Sequence, residues 1–152
     1  MKATSDRFQP KINAPGVEFV WAGHFNDHPL ITEMLLEGAL SVSTDPANEV
    51  VIIVGHGPED AADNVPDLKI IQAHADRIKA KKKFADVRIT NLQDDAIVPV
   101  RESNVRKLRA MIQQATKAGR KVVVVPIAAA SYGVQRNIKT DLRGLQYTFA
   151  EK

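Results

Sequence analysis

The residue types best able to do chemistry in this chain gather behind one apolar run. Val50-Val51-Ile52-Ile53-Val54 ends in Gly55-His56-Gly57, and Glu59 and Asp60 follow at once. An imidazole at the carboxyl end of a strand is a candidate metal ligand or general base, because imidazole changes charge near neutral pH. Flanking glycines would keep the backbone thin enough for a flat ligand to approach. The plainer alternative is a tight strand-to-helix turn whose histidine hydrogen-bonds a neighbouring loop. Asp94 and Asp95 sit in what reads as the exit loop of the next strand. With Glu59 they could pass a hard or borderline cation to His56, although acidic residues also serve as ordinary helix caps. The candidate metal set is therefore His56, Glu59, Asp94 and Asp95.

Three cations, Arg136, Lys139 and Arg143, recur at spacings of three and four, opposite the apolar stripe Val134-Ile138-Leu142. Such a face would bind carboxylates, with arginine offering bidentate contacts, or would simply be the solvated side of an amphipathic helix. His24 and His28 are four apart, a metal spacing only if both lie on a helix, and Pro29 puts them in the turn before one. His74 stands alone on an expected helix. The Gly-His-Gly turn matches neither GxxxxGK[ST] nor GxGxxG, so it is not a phosphate loop.

These residues need a scaffold, and the apolar pattern supplies one. A continuous β-branched run is the mark of a strand buried on both faces of a parallel sheet, and both 50–54 and Val122 to Val125 have it. Asp86 to Thr90 alternates as a shorter strand, Val17 to Trp21 as another, and Gln146 to Phe149 as a last one. Helices are expected from Pro29, capped by Asp27 or His28, to about Ser43; from Asn64 or Pro66 to Lys82; from Arg101 to Ala118; and after Gly133. Their inward faces are Leu30, Ile31, Met34, Leu35 and Ala39; Leu68, Ile71, Ala75 and Ile78; Val105, Leu108, Ile112 and Ala115; and Val134, Ile138, Leu142 and Leu145. Strands alternating with helices of this length predict βαβ units and a mainly parallel sheet of four to five strands in a three-layer α/β/α sandwich. Ligands of such sheets bind outside the carboxyl ends of the strands, where His56 falls.

With 152 residues the chain suits one domain with a real core. It has no cysteine, which excludes disulfides, thiolate metal sites and thiol nucleophiles. No apolar run reaches the ~18 residues of a membrane span, and no secretory leader is visible, so the expected compartment is the cytoplasm. A net charge of +3 and 5% aromatics argue against nucleic acid, and the run Lys79-Ala80-Lys81-Lys82-Lys83 fits a helix end.

Taken in order, Val50 to Pro58, Val122 to Pro126 and Tyr132-Gly133-Val134-Gln135-Arg136-Asn137-Ile138 resemble the class II tetrapyrrole chelatases of the sirohydrochlorin cobaltochelatase type. Asp94-Asp95-Ala96, Pro99-Val100-Arg101 and Gly144 to Tyr147 are most similar to a longer bacterial branch built of two repeats. Residues 49–152 resemble the second repeat. Residues 1–48 comprise a loose leader and a strand-helix pair that resembles the end of the first, notably at Asp27 to Ile31. The resemblance implies a chelatase-like, flavodoxin-like architecture and ATP-independent insertion of divalent cobalt or ferrous iron into sirohydrochlorin, on the route to cobalamin or sirohaem. Metal would be substrate, with no permanently bound cofactor. His56 would take the role of the first active-site histidine, coordinating the metal and helping remove pyrrole protons. Ser131, Tyr132, Gly133, Arg136, Lys139 and Arg143 would meet the substrate, with Ala128 to Ala130 as a flat floor. At the position of the family's second histidine this chain carries Gly133, and Asn137 stands at the acidic position. That departure sets a second expectation beside the first, a catalytically degenerate repeat that binds tetrapyrrole or scaffolds an active half. The implied partner is a second chelatase-like repeat or a second copy of the chain, with no nucleic acid and no membrane.

Overall fold

A computed structural model describes residues 15–16, 18, 25–127 and 133–151. The β-branched runs form the two inner strands, as expected of segments with no polar face. Strand β1 (Glu49–Gly55) pairs in parallel with β2 (Asp86–Asn91) on one side and β3 (Lys121–Ile127) on the other, and β3 carries the short β4 (Thr148–Phe149). The order is β2-β1-β3-β4, all parallel. Side chains alternate between faces. Val51, Ile53, Val123 and Val125 meet helices α1 (Pro29–Val42) and α2 (Ala61–Lys81). Val50, Ile52, Val54, Val122 and Val124 meet α3 (Val98–Lys117) and α4 (Val134–Asp141). The result is the expected three-layer α/β/α sandwich, with helices on both faces.

The chain leaves β1 toward β2 over one face and leaves β3 toward β4 over the other. The gap between the carboxyl ends of β1 and β3 is therefore the topological switch point of a doubly wound sheet, the place where such folds hold ligands. Gly55 lies level with Asn91 on β2 and Ile127 on β3, so His56 is the first residue past the sheet.

Three boundaries differ from expectation. Helix α2 begins at Ala61, because the Asp60 carboxylate caps it by accepting from Ala62 N at 2.7 Å. Pro66 then sits inside the helix, where it forfeits one backbone bond near the amino end rather than starting the helix. Helix α3 starts earlier too, at Val98 with Pro99 in its first turn. The closing strand shrinks to two residues. The cap of α1 is His28, whose Nδ1 accepts from Leu30 N at 3.2 Å, with Pro29 at the first helical position. The strand expected over 17–21 falls, apart from Glu18, outside the described residues, as does His24. Among the described residues no helix is long and apolar enough to cross a membrane.

Candidate functional site

His56 projects from the carboxyl end of β1 at the switch point. Its Nδ1 lies 2.8 Å from the carbonyl oxygen of Gly57. A carbonyl only accepts, so Nδ1 carries the proton and, in the neutral ring, Nε2 holds a lone pair. That Nε2 stands 3.5 Å from Asp95 Oδ2. Between them there is room for a shared cation, either a proton on Nε2 or a metal ion. The imidazole is 40% exposed and the carboxylate 75%, so the pair is open to a ligand from solvent.

The other candidate ligands are placed differently. The Asp94 carboxylate, 6% exposed, takes Arg101 Nε at 2.9 Å. Arg101 also reaches Asp141 Oδ2 at 2.7 Å, tying the β2–α3 loop to the end of α4. The hydrogen bond to Asp141 raises the Arg101 pKa; burial works against it, and the charges of Asp141 and Asp94 add to the rise. Asp94 is thus half of a structural ion pair. Glu59 is exposed, and its link to the site is its backbone carbonyl, which accepts from Gln93 Nε2 at 3.4 Å. Among the described residues no three histidine or carboxylate side chains converge to hold a metal. The geometry brings together His56 and Asp95 alone of the four.

The basic stripe is partly spent. Lys139 pairs with Glu151 and lies 5.1 Å from the Phe149 ring centroid. Arg143 lies beyond the carboxyl end of α4, where its carbonyl accepts from Arg109 at 3.3 Å. The 8 residues of α4 rise about 12 Å, so Arg143, past its far end, is remote from the ligand end, and exposed Arg136 in the first turn of α4 is near it. Gly133 is the residue before α4, with φ of 88° and ψ of −86°. Ser131, Tyr132 and the small-residue floor Ala128 to Ala130 lie outside the described residues.

A buried amide cluster that the sequence reading did not single out underlies His56. Asn91 Nδ2 donates to Asn64 Oδ1 and to Asp67 Oδ2, each at 2.7 Å. Gln93, at φ of 53°, donates to the Pro58 carbonyl at 3.0 Å and accepts from Asn104 Nδ2 at 3.1 Å. A Cβ on Gly55 would meet Asn91 Oδ1 at 2.2 Å, and one on Gly57 would meet Asn91 Cβ at 2.8 Å. The thin backbone on either side of His56 therefore makes room for Asn91, where the sequence reading gave that room to a ligand.

His74, read from sequence as having no special role, is buried between α1 and α2. Its Nε2 donates to the Asn26 carbonyl at 2.7 Å, and its Nδ1 lies 2.8 Å from Thr32 Oγ1. It thereby holds the entry to α1 against a crevice of about 190 Å³ lined by His56, Asp67, Ile71 and Ile127. Two and three residues past Asp95, Ile97 and Val98 are 70% and 66% exposed.

Fold and site together define a doubly wound α/β protein with one solvent-facing imidazole at its switch point. Compared with family models, with curated proteins and with solved structures, the chain matches none.

Proposed function

We propose that the chain binds a tetrapyrrole of the sirohydrochlorin type across the carboxyl edge of its sheet and takes part in inserting divalent cobalt or ferrous iron into it. The observation that carries this reading is the 2.8 Å approach of His56 Nδ1 to the Gly57 carbonyl. With Nδ1 committed to Gly57, Nε2 offers its lone pair outward beside Asp95. Insertion of a divalent ion releases two pyrrole protons, so the total charge of the complex is unchanged. His56 Nε2 can receive a departing proton and pass it to Asp95 and solvent, or can hold the incoming ion, for which imidazole and carboxylate are suitable ligands. Exposed Ile97 and Val98 give an apolar macrocycle face something to lie on, and Arg136 is placed to meet a peripheral carboxylate. The reaction would run in the cytoplasm.

A second reading rests on Gly133. With one imidazole in place of two, the chain would bind tetrapyrrole and present it to a chelatase-like half, either another repeat or a second copy. The two readings separate when sirohydrochlorin and cobalt are mixed with the chain and followed by absorption spectroscopy. Turnover by the chain alone, lost in His56→Ala, supports insertion. Binding without turnover, likewise lost in His56→Ala, supports the scaffold. A His56→Ala variant that binds and turns over like the parent removes both.

A further inference from the structure

We infer that Asn91 is the positioning residue for His56, fixing which ring nitrogen faces outward by packing against Gly57. The carbonyl that holds His56 Nδ1 belongs to Gly57, and it points at the ring because Gly57 adopts φ of 74°. Only a residue without Cβ adopts that conformation readily, but a glycine can leave it as easily as enter it. The Asn91 and Gln93 side chains fill the space beside its Cα: a Cβ built at position 57 would lie 2.8 Å from Asn91 Cβ, 3.1 Å from Asn91 Cγ and 3.2 Å from Gln93 Cγ. Asn91 in turn cannot swing aside. It is 3% exposed, and its amide is clamped by Asn64 and Asp67 on α2. Its Oδ1 is buried without a hydrogen-bond partner. An acceptor left unpaired costs free energy, so the side chain keeps this place through its shape and its two donated bonds. The chain of control runs from the bulk of Asn91 to the Gly57 carbonyl, then through Nδ1 to the lone pair on Nε2.

The inference rests on the reading that Nε2 is the working atom, yet its test does not depend on that reading. Nitrogen-15 NMR of the imidazole in mildly alkaline buffer reports the tautomer directly, and cobalt alone, titrated into the same samples, reports affinity at His56. The parent should show the proton on Nδ1. Asn91→Leu, which keeps the branched outline of the side chain and loses the hydrogen bonds, should keep that tautomer. Asn91→Ala should move the ring toward the Nε2–H form and weaken cobalt binding about 10–100-fold, the usual effect of removing an outer-shell partner. Should Asn91→Ala fail to fold, Asn91→Ser is read in its place. A parent tautomer retained in the alanine or serine variant, or an equal loss in the leucine variant, overturns the inference. Cobalt that never reaches His56 in the parent would instead count against the proposed function, leaving the tautomer result to stand by itself.

Discussion

A methyl group at Gly55 would stand 2.2 Å from Asn91 Oδ1 and 3.0 Å from Ile71 Cδ1. Neither neighbour can yield easily, since Asn91 is held by two hydrogen bonds and Ile71 is in the core. Gly55→Ala should therefore destabilise the protein by about 1–3 kcal/mol, the ordinary cost of overpacking, as read by urea unfolding. Gly133 is a different case. Among the described residues nothing lies within 4 Å of a Cβ built there, but its φ of 88° is one that side chains rarely adopt. Gly133→His should thus lose about 1–3 kcal/mol to backbone strain, lowering the melting temperature by several degrees. His56 itself was legible because a histidine between two glycines after a buried strand is conspicuous. Asn91, Asn64 and Gln93 were not, because isolated amides carry no periodicity and acquire meaning only when β2, α2 and the loop after β2 meet.

At the level of elements, two ionisable side chains splice loops to the sheet. Glu49 opens β1 and accepts from Ser43 Oγ, from Thr44 N at 2.8 Å and from Asp45 N at 2.9 Å. Burial pushes its pKa up, but these hydrogen bonds together outweigh burial and hold it below the ordinary 4.5. A carboxylate with a depressed folded pKa contributes stability that is complete above the unfolded value and lost as pH falls through the folded one. Glu49→Gln should accordingly be less stable at neutral pH by about 1.5–3 kcal/mol, the worth of hydrogen bonds to a charged group. Below about pH 4.5 the difference from the parent should narrow, which chemical unfolding at a series of pH values would show. Arg101 joins the β2–α3 loop to α4 through Asp94 and Asp141. Arg101→Met would leave the nearly buried Asp94 carboxylate without its cation, so a loss of about 2–4 kcal/mol is expected at neutral pH. Added salt should recover little of it, since the charge at fault is shielded from solvent.

Over the whole molecule, the parts most easily read were those with one dominant physical demand. Strands β1 and β3 have no polar face and so had to be central, which placed the switch point and with it His56. The start of α2 was misjudged because Pro66 reads as a helix opener when the Asp60 cap six residues earlier is overlooked. The closing strand was read as longer than it is because Tyr147 and Phe149 carry strand propensity that only two residues use for pairing. The division of the chain at 48/49 separates, on paper, a helix that the fold does not set apart. Leu35 and Ala39 of α1 are 5% and 0% exposed, in one cluster with Val123 and Val125 of β3 and Ile71 and Ala75 of α2. Each fully buried aliphatic side chain is worth about 1.5–3 kcal/mol, and a domain's net stability is only about 5–15 kcal/mol. Removing α1 strips its own buried side chains and uncovers those of β3 and α2, a loss comparable to the whole margin. A chain shortened to residues 49–152 should therefore lose its cooperative thermal transition and self-associate through the bared face of β3, as calorimetry and sedimentation would detect. A sharp transition in that fragment, with monomeric sedimentation, would mean that α1 is an accessory to the sheet rather than one of its two covering layers.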